Sequence, residues 1–257
     1  MSHSKPAILF IIFKHGAYHP PSCYSRLTEK LETAGFELVT PRLASLGEGK
    51  VGITLDDDVA VVKTAAKALI DAGKEVVLVA HSYGGFVTIN AAKGLSVTEL
   101  QAQGQEGGIK HIVYLSACFK EKGATANEAC NPTCAVPPDF DDIFAIHMVG
   151  EKVSCSLKDT ETTRRYFLQP ASDEDMNAAL AQLEPMCVDI FNIPSPTGPS
   201  ELSIPQTFFV CGKDHVVLPE TQEKAVADGG MRAIRLPESG HAPYLNLRKS
   251  LQTRLSR

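Results

Sequence analysis

The sequence has no long hydrophobic run and no recognisable targeting segment. Its first apolar run, Ala7 to Phe13, contains seven residues, whereas a membrane-spanning helix needs about 20. No small-residue cleavage site follows this run, so it predicts a buried strand rather than a signal peptide. We therefore expect no association with membranes and a soluble, cytoplasmic protein.

The sequence also lacks an excess of basic charge. Its net charge is -5 at pH 7, and the lysines and arginines are scattered along the chain without forming a basic block. Proteins that bind nucleic acids usually carry a clustered basic patch, so we expect no nucleic-acid partner. Of the 257 residues, 44% are hydrophobic and 21% are charged, which is typical of a globular protein rather than a disordered one.

Cysteine spacings typical of zinc sites are absent. The seven cysteines are odd in number and contain no pair of C-x-x-C motifs. Cys130 and Cys134 are close enough in sequence to form a disulfide or hold a metal, but no matching histidine or cysteine pair lies nearby. His15 and His19 have the spacing of metal ligands on a helix, but a glycine between them and a proline after them disfavour a helix. We expect free thiols and no metal.

Six apolar runs rich in β-branched residues are present instead. They are continuous rather than alternating, as in strands that are covered on both faces. They span Ala7–Phe13, Phe36–Thr40, Glu75–Ala80, Ile109–Leu115, Gln206–Cys211 and Arg232–Leu236. Helical patterns separate them, and a stripe of Leu247, Leu251 and Leu255 predicts a closing helix. Strands that alternate with helices predict an α/β fold with a mainly parallel, six-stranded sheet flanked by helices.

One interval, residues 119 to 204, breaks this alternation. No strand is evident there, and helical patterns occur at Asp159–Leu168 and Asp173–Leu183, with a third over Asp139–Val149. An insertion between two core strands is where a lid over a pocket would lie. We expect one domain over residues 1–257, with a core of 1–118 and 205–257 and a helical lid of about 119–204.

The segment around Ser82 predicts a sharp turn from a strand to a helix. Apolar residues precede Ser82, Ala80 and Gly84 lie two positions before and after it, and Phe86 and Ile89 begin a helical pattern. Such a turn strains its central residue and requires small neighbours. This is the pattern of a nucleophile elbow, G-x-S-x-G with alanine at the first glycine, which exposes the serine Oγ above the sheet. A serine in an ordinary turn is the alternative.

Two residues after later strands could activate this serine. A serine nucleophile needs a histidine base, and the histidine needs a carboxylate that orients it. Asp214 follows the run that ends at Cys211, and His241 follows the run that ends at Leu236. The carboxyl ends of parallel strands share one edge of the sheet, so both residues should meet Ser82 there. The order Ser, Asp, His also accompanies this type of elbow.

Other interpretations exist for each residue. An aspartate after Gly-Lys is often a turn residue, and a histidine beside a glycine is often merely solvated. His81, His215 and Asp142 are spare candidates, although His81 adjoins Ser82 and its side chain should point away from it. The coincidence of residue types, strand ends and chain order favours Ser82, Asp214 and His241.

Acyl transfer also requires donors for a developing oxyanion. The loop after the first apolar run contains Gly16, which permits an unusual backbone angle. This loop lies beside the elbow if the two strands are neighbours. We predict that the donors are the backbone N–H groups of Ala17 and Tyr83.

These motifs resemble those of the α/β-hydrolase superfamily, and within it those of the plant methylesterase and hydroxynitrile lyase group with its microbial relatives. The matching segments extend over nearly the whole chain: His15-Gly16-Ala17-x-His19, Leu43-Ala44-Ser45-x-Gly47, Ala80-His81-Ser82-Tyr83-Gly84-Gly85, Asp173-Glu174-Asp175, and the loops of Asp214 and His241. The resemblance implies the α/β-hydrolase fold, a Ser82–His241–Asp214 triad, a helical cap and no cofactor. The motifs are more specific for the superfamily than for the subgroup.

Two positions depart from the pattern of this group. The cyanogenic lyases carry a lysine directly after the catalytic histidine, where this sequence has Ala242. This difference counts against lyase activity. Lys14 stands before the oxyanion loop, where an apolar residue is usual, and the sequence does not explain it.

The predicted function is hydrolysis of a small, largely apolar carboxylic ester or lactone through an acyl-enzyme. The expected pocket wall consists of Tyr18, Tyr83, Phe119, Phe140, Phe144 and Phe167, although the lid aromatics could equally form the lid's own core. The alternatives are a non-hydrolytic lyase or tailoring enzyme on the same fold, and a hydrolase-like receptor for a small ligand. The substrate and the oligomeric state stay open, with a homodimer as one option.

Overall fold

The structure is a computed structural model that describes residues 7–11, 18–130 and 139–245. The described residues form nine strands: β1 Ala7–Ile11, β2 Leu38–Val39, β3 Glu75–His81, β4 Gly108–Leu115, β5 Phe144–Val149, β6 Lys152–Leu157, β7 Met186–Cys187, β8 Gln206–Cys211 and β9 Arg232–Leu236. The α-helices are α1 Ser25–Thr33, α2 Leu55–Asp71, α3 Gly84–Ala92, α4 Val97–Gln101, α5 Ala126–Cys130, α6 Phe140–Ile143, α7 Glu161–Thr163, α8 Asp173–Leu180 and α9 Pro219–Asp228.

Six of these strands form the central sheet in the order β2-β1-β3-β4-β8-β9. All five neighbouring pairs are parallel. The predicted parallel sheet is confirmed, with β2 shorter than its apolar run and β1 described only as far as Ile11. The predicted C-terminal helix at Leu247, Leu251 and Leu255 lies outside the described residues.

The continuous apolar runs are explained by burial on both faces of the sheet. Successive side chains of a strand point to opposite faces. In β3, Leu78 and Ala80 belong to one hydrophobic cluster together with residues of α2 and α3. Val79 belongs to a second cluster, which includes Leu27 and Leu31 of α1. The sheet is therefore covered by helices on both sides.

We expected a purely helical insertion between β4 and β8. The structure shows that it also contains a second sheet. Strands β5, β6 and β7 form a three-stranded antiparallel sheet. The prediction of a helix over Asp139–Val149 is correct only for α6 and wrong beyond Ile143, where β5 begins. Gly150 has a φ of +63° and starts the two-residue turn between paired residues Val149 and Lys152. Strand pairing of this kind depends on partners that a local pattern does not reveal.

The other two helical predictions in the insertion agree better with the structure. Helix α7 continues into a π-helical turn over Arg164–Leu168, within the predicted Asp159–Leu168. Helix α8 starts after Ser172, whose Oγ accepts a hydrogen bond from the Asp175 N–H over 3.2 Å. This N-cap stabilises the start of the helix.

The expectation of free thiols is wrong for two cysteines. Cys118, just after β4, and Cys130, at the end of α5, form a disulfide with a Cα–Cα distance of 5.4 Å. Their sequence separation of 12 gives no signal for this pairing, because the fold decides which thiols approach each other. Cys134 lies outside the described residues, and Cys23, Cys155, Cys187 and Cys211 are buried and take part in no disulfide within the described ranges. None of the described helices combines the length and the hydrophobicity that a membrane span requires.

Candidate active site

Ser82 occupies the sharp turn between β3 and α3. Its φ of +51° is unusual for a residue with a side chain. Its carbonyl accepts hydrogen bonds from the N–H groups of Gly85 and Cys118, at 2.9 and 3.1 Å. A Cβ on Gly85 would lie 2.9 Å from the Ala117 Cβ, so only glycine permits this close approach of α3 to the loop after β4. The turn at Ser82 is thus fixed by hydrogen bonds to its carbonyl and by the close packing of α3 against the loop after β4.

The structure brings Ser82, His241 and Asp214 together. The Ser82 Oγ lies 3.0 Å from the His241 Nε2. On the other side of the imidazole ring, Nδ1 lies 3.0 Å from the Asp214 Oδ2 and 3.1 Å from Oδ1. The three residues follow β3, β9 and β8, and their exposures are 0%, 0% and 2%. These distances suit proton transfer from a serine to a histidine that is oriented by a carboxylate.

The Asp214 carboxylate is fixed by several donors besides His241. The N–H groups of Val216 and Val217 donate to Oδ1 over 2.8 and 3.0 Å. The side-chain amide of Gln222 donates to Oδ2 over 3.1 Å. With these bonds the carboxylate has one orientation, which it imposes on the imidazole ring.

Ser116 also belongs to this group, and sequence reasoning missed it. It directly follows β4, has a φ of +44° and is fully buried. Its hydroxyl donates to the Asp214 Oδ2 and lies 3.0 Å from the His241 Nδ1. A serine after a strand carries no local signal. Its position could have revealed it, because β4 lies between β3 and β8 in the sheet and its carboxyl end therefore lies between the loops of Ser82 and Asp214.

His81 does not replace His241 as a base for Ser82. Its Nε2 lies 2.6 Å from the His241 carbonyl oxygen, and its Nδ1 lies 3.1 Å from the Tyr24 hydroxyl. His81 therefore holds the backbone of His241. The other spare candidates, His215 and Asp142, lie at exposed positions.

Of the two predicted oxyanion donors, one is described. This donor is the N–H group of Tyr83, the residue between Ser82 and the first residue of α3. N–H groups at the start of a helix are free of intrahelical partners and attract negative charge. Ala17 lies outside the described residues, as does Lys14.

Four of the predicted pocket aromatics form one connected cluster beside the site. The Phe144 ring lies 6.0 Å from that of Tyr18, 4.8 Å from that of Phe140 and 6.3 Å from that of Phe167, measured between centroids. The Phe167 ring in turn lies 6.1 Å from the His241 imidazole. Burial raises the pKa of the Tyr18 phenol well above its ordinary value, with a further contribution from Cys155. The cluster gives the site an apolar flank.

Phe119 lies elsewhere, among core aromatics. Its ring centroid is 4.5 Å from that of Tyr114 and 5.8 Å from that of Phe208. Tyr83 also points into the interior, where its ring contacts Phe191 at 5.2 Å. Among the described residues, no group of three or more His, Cys, Asp or Glu side chains could hold a metal ion.

Comparison with known proteins places this geometry in a family. A family model described as "Alpha/beta hydrolase family" matches residues 8–248. The chain is 28% identical over 244 residues to the alpha/beta hydrolase nvfD of Aspergillus novofumigatus, covering 94% of this chain and 92% of that one.

Solved structures agree at the level of the fold. The structure of polyneuridine aldehyde esterase matches with a TM-score of 0.77 at 18% identity, covering 98% of both chains. That of the methylesterase MES16 from Arabidopsis matches with a TM-score of 0.71 at 19% identity, covering 97% of both chains. The predicted resemblance to plant methylesterases is confirmed at the level of the fold by the MES16 structure. The chain belongs to the alpha/beta hydrolase family.

Proposed function

We propose that this protein is a serine hydrolase that cleaves a small, largely apolar carboxylic ester or lactone. One observation carries the proposal: the unbroken chain of hydrogen-bond distances from the Ser82 Oγ through the His241 ring to the Asp214 carboxylate. Similarity to proteins named as esterases supports the same reaction class.

The geometry suggests the following sequence of steps. The Ser82 Oγ attacks the ester carbonyl carbon while the His241 Nε2 takes its proton. Asp214 stabilises the resulting imidazolium and keeps its orientation. The oxyanion accepts a hydrogen bond from the Tyr83 N–H, with Ala17 as the second predicted donor. His241 then protonates the departing alcohol, and water, activated by the same histidine, hydrolyses the acyl-enzyme. No cofactor is needed.

The proposed substrate class follows from the surroundings of His241. The aromatic cluster of Tyr18, Phe140, Phe144 and Phe167 offers an apolar surface without a charged side chain among its members. Such a surface favours an uncharged, apolar acyl or alcohol group through the hydrophobic effect. Ala242 places no cation beside His241, so the site has no group there for cyanide chemistry.

Replacement of Ser82 tests the proposal. Ser82→Ala removes the nucleophile, and we expect turnover of p-nitrophenyl acetate to fall by at least about 1,000-fold, since loss of such a serine has cost up to about 10⁶-fold elsewhere. Ser22→Ala is the matched control, because it makes the same change at an exposed serine outside the triad. Unchanged turnover in Ser82→Ala, with Ser22→Ala also at the wild-type level, would contradict the proposal.

A further inference from the structure

Asp58 is a buried carboxylate that the proposed mechanism does not use. It is the fourth residue of α2 and has an exposure of 0%. Oδ1 accepts from the Ser45 N–H over 3.0 Å, and Oδ2 accepts from the Ser45 hydroxyl over 2.6 Å. The Tyr83 hydroxyl donates to Oδ2 over 3.2 Å. The Ala44 backbone also hydrogen-bonds to this carboxylate, so all its partners are uncharged.

These bonds connect the elbow to the insertion. Tyr83 directly follows Ser82, and its ring packs between Asp58 and the insertion residue Phe191. The Ser45 carbonyl accepts a hydrogen bond from the Cys187 N–H of β7 over 2.9 Å. Asp58 thus fixes the hydroxyl end of Tyr83, the residue whose N–H is the predicted oxyanion donor.

We propose that Asp58 is a positioning residue that holds Tyr83, and through it the backbone N–H after Ser82, in the orientation that receives the oxyanion. This inference rests on the proposed hydrolase function. An oxyanion donor must lie within about 0.5 Å of its productive position. Anchoring the Tyr83 side chain at both its ring and its hydroxyl restricts the rotation of the peptide unit that carries this N–H.

The arrangement of donors fits an ionised Asp58. Burial raises the pKa of Asp58 to about 6, and the bonds from Ser45, Tyr83 and Ala44 only partly offset this effect. Among the described residues, the titratable groups facing it are the Tyr83 phenol and, beyond that ring, the Cys187 thiol, while Asp56 and Asp57 of α2 are exposed. As the pH falls through about 6, the carboxyl gains a proton and loses one acceptor site, so the Tyr83 or Ser45 hydroxyl that donated there can no longer do so.

Two variants and one control test this role. Tyr83→Phe removes only the hydroxyl, and Asp58→Asn removes the charge. Asp56→Asn is the control, because it makes the same change at an exposed position of the same helix. In each variant, kcat and KM for p-nitrophenyl acetate are measured from pH 5 to 8, and Ser82 is labelled with a fluorophosphonate.

We expect Tyr83→Phe and Asp58→Asn to lower kcat about tenfold, less than the roughly 100- to 1,000-fold loss on removing an oxyanion donor outright. KM should change by less than about threefold, since the N–H acts mainly in the transition state. Below pH 6, kcat of the wild type and of Asp56→Asn should fall more steeply with decreasing pH than the titration of a single proton allows. In Tyr83→Phe and Asp58→Asn, the fall of kcat should follow the titration of one proton.

The outcomes separate this inference from the proposed function. A wild-type protein that neither hydrolyses the ester nor takes the label contradicts the function, and the inference falls with it. If the wild type is active and labelled, and Tyr83→Phe has the same kcat and the same acid limb of kcat against pH, the inference about Asp58 is overturned. The proposed hydrolase function is then unaffected. If Asp58→Asn does not fold, as circular dichroism would show, Tyr83→Phe still decides, because it keeps the Asp58–Ser45 bonds.

Discussion

Ser82 and Ser116 are the non-glycine residues with positive φ in the described part of the chain, and both lie at the candidate site. Backbone strain of this kind costs about 1–3 kcal/mol per residue and persists where the surrounding structure enforces it. Ser82 follows β3 and Ser116 follows the neighbouring β4. The strain at Ser82 raises its hydroxyl toward His241, and the strain at Ser116 turns its hydroxyl toward Asp214.

Ser116→Ala should therefore impair the reaction without removing any reacting group. The Asp214 carboxylate loses one donor, and the imidazole ring becomes less firmly oriented. We expect kcat for p-nitrophenyl acetate to fall about tenfold, equivalent to about 1.4 kcal/mol, with KM nearly unchanged. Steady-state kinetics of Ser116→Ala, compared with those of the wild type and of the control Ser22→Ala, test this prediction. A kcat of Ser116→Ala equal to that of the wild type would show that this hydroxyl has no positioning role.

At the scale of elements, the nucleophile elbow depends on how closely α3 approaches the loop after β4. A Cβ at Gly85 would lie 2.9 Å from the Ala117 Cβ and 3.0 Å from the Cys118 carbonyl oxygen. The backbone there cannot move freely, because the Cys118 N–H is bonded to the Ser82 carbonyl. The position of Ser82 is therefore coupled to the packing of its helix.

Gly85→Ala should disturb both stability and activity. Overpacking of this kind costs about 1–3 kcal/mol, and relief of the clash moves the elbow away from the loop after β4. We predict a lower free energy of unfolding in urea together with a reduced kcat. Ser22→Ala, a comparably small change at an exposed site, provides the reference. A Gly85→Ala protein with wild-type stability would refute the close approach.

Considered as a whole, the molecule shows which features a sequence can reveal. The inner strands β3 and β8 were predictable because nearly all of their residues are buried and their apolar runs are almost uninterrupted. The edge strand β9 was recognised although Arg232 and Arg235 interrupt its run at exposed positions. Ser82, Asp214 and His241 could be predicted to converge, because strand polarity alone brings their loops to one edge. These inferences require only local pattern and topology.

Other features depend on contacts between distant segments. Strand β5 contains Ile146 and Met148 at exposed positions and pairs with β6 across a two-residue turn, which local periodicity cannot distinguish from a helix. Asp58 looks like a third acidic residue at the start of α2, and only the fold buries it against Ser45 and Tyr83. The Cys118–Cys130 pair is hidden from the sequence for the same reason.

The central claim is that Ser82 is a nucleophile that forms an acyl-enzyme. The most direct measurement is mass spectrometry of the intact protein and its peptides after treatment with a fluorophosphonate. We predict one adduct, located on the peptide that contains Ser82, with parallel loss of ester hydrolysis and no adduct in Ser82→Ala. An enzyme that stays active with Ser82 unlabelled would contradict the claim and favour a lyase or tailoring reaction. A protein that hydrolyses no ester and takes no label, yet shifts its Tm with a small ligand, would favour a receptor.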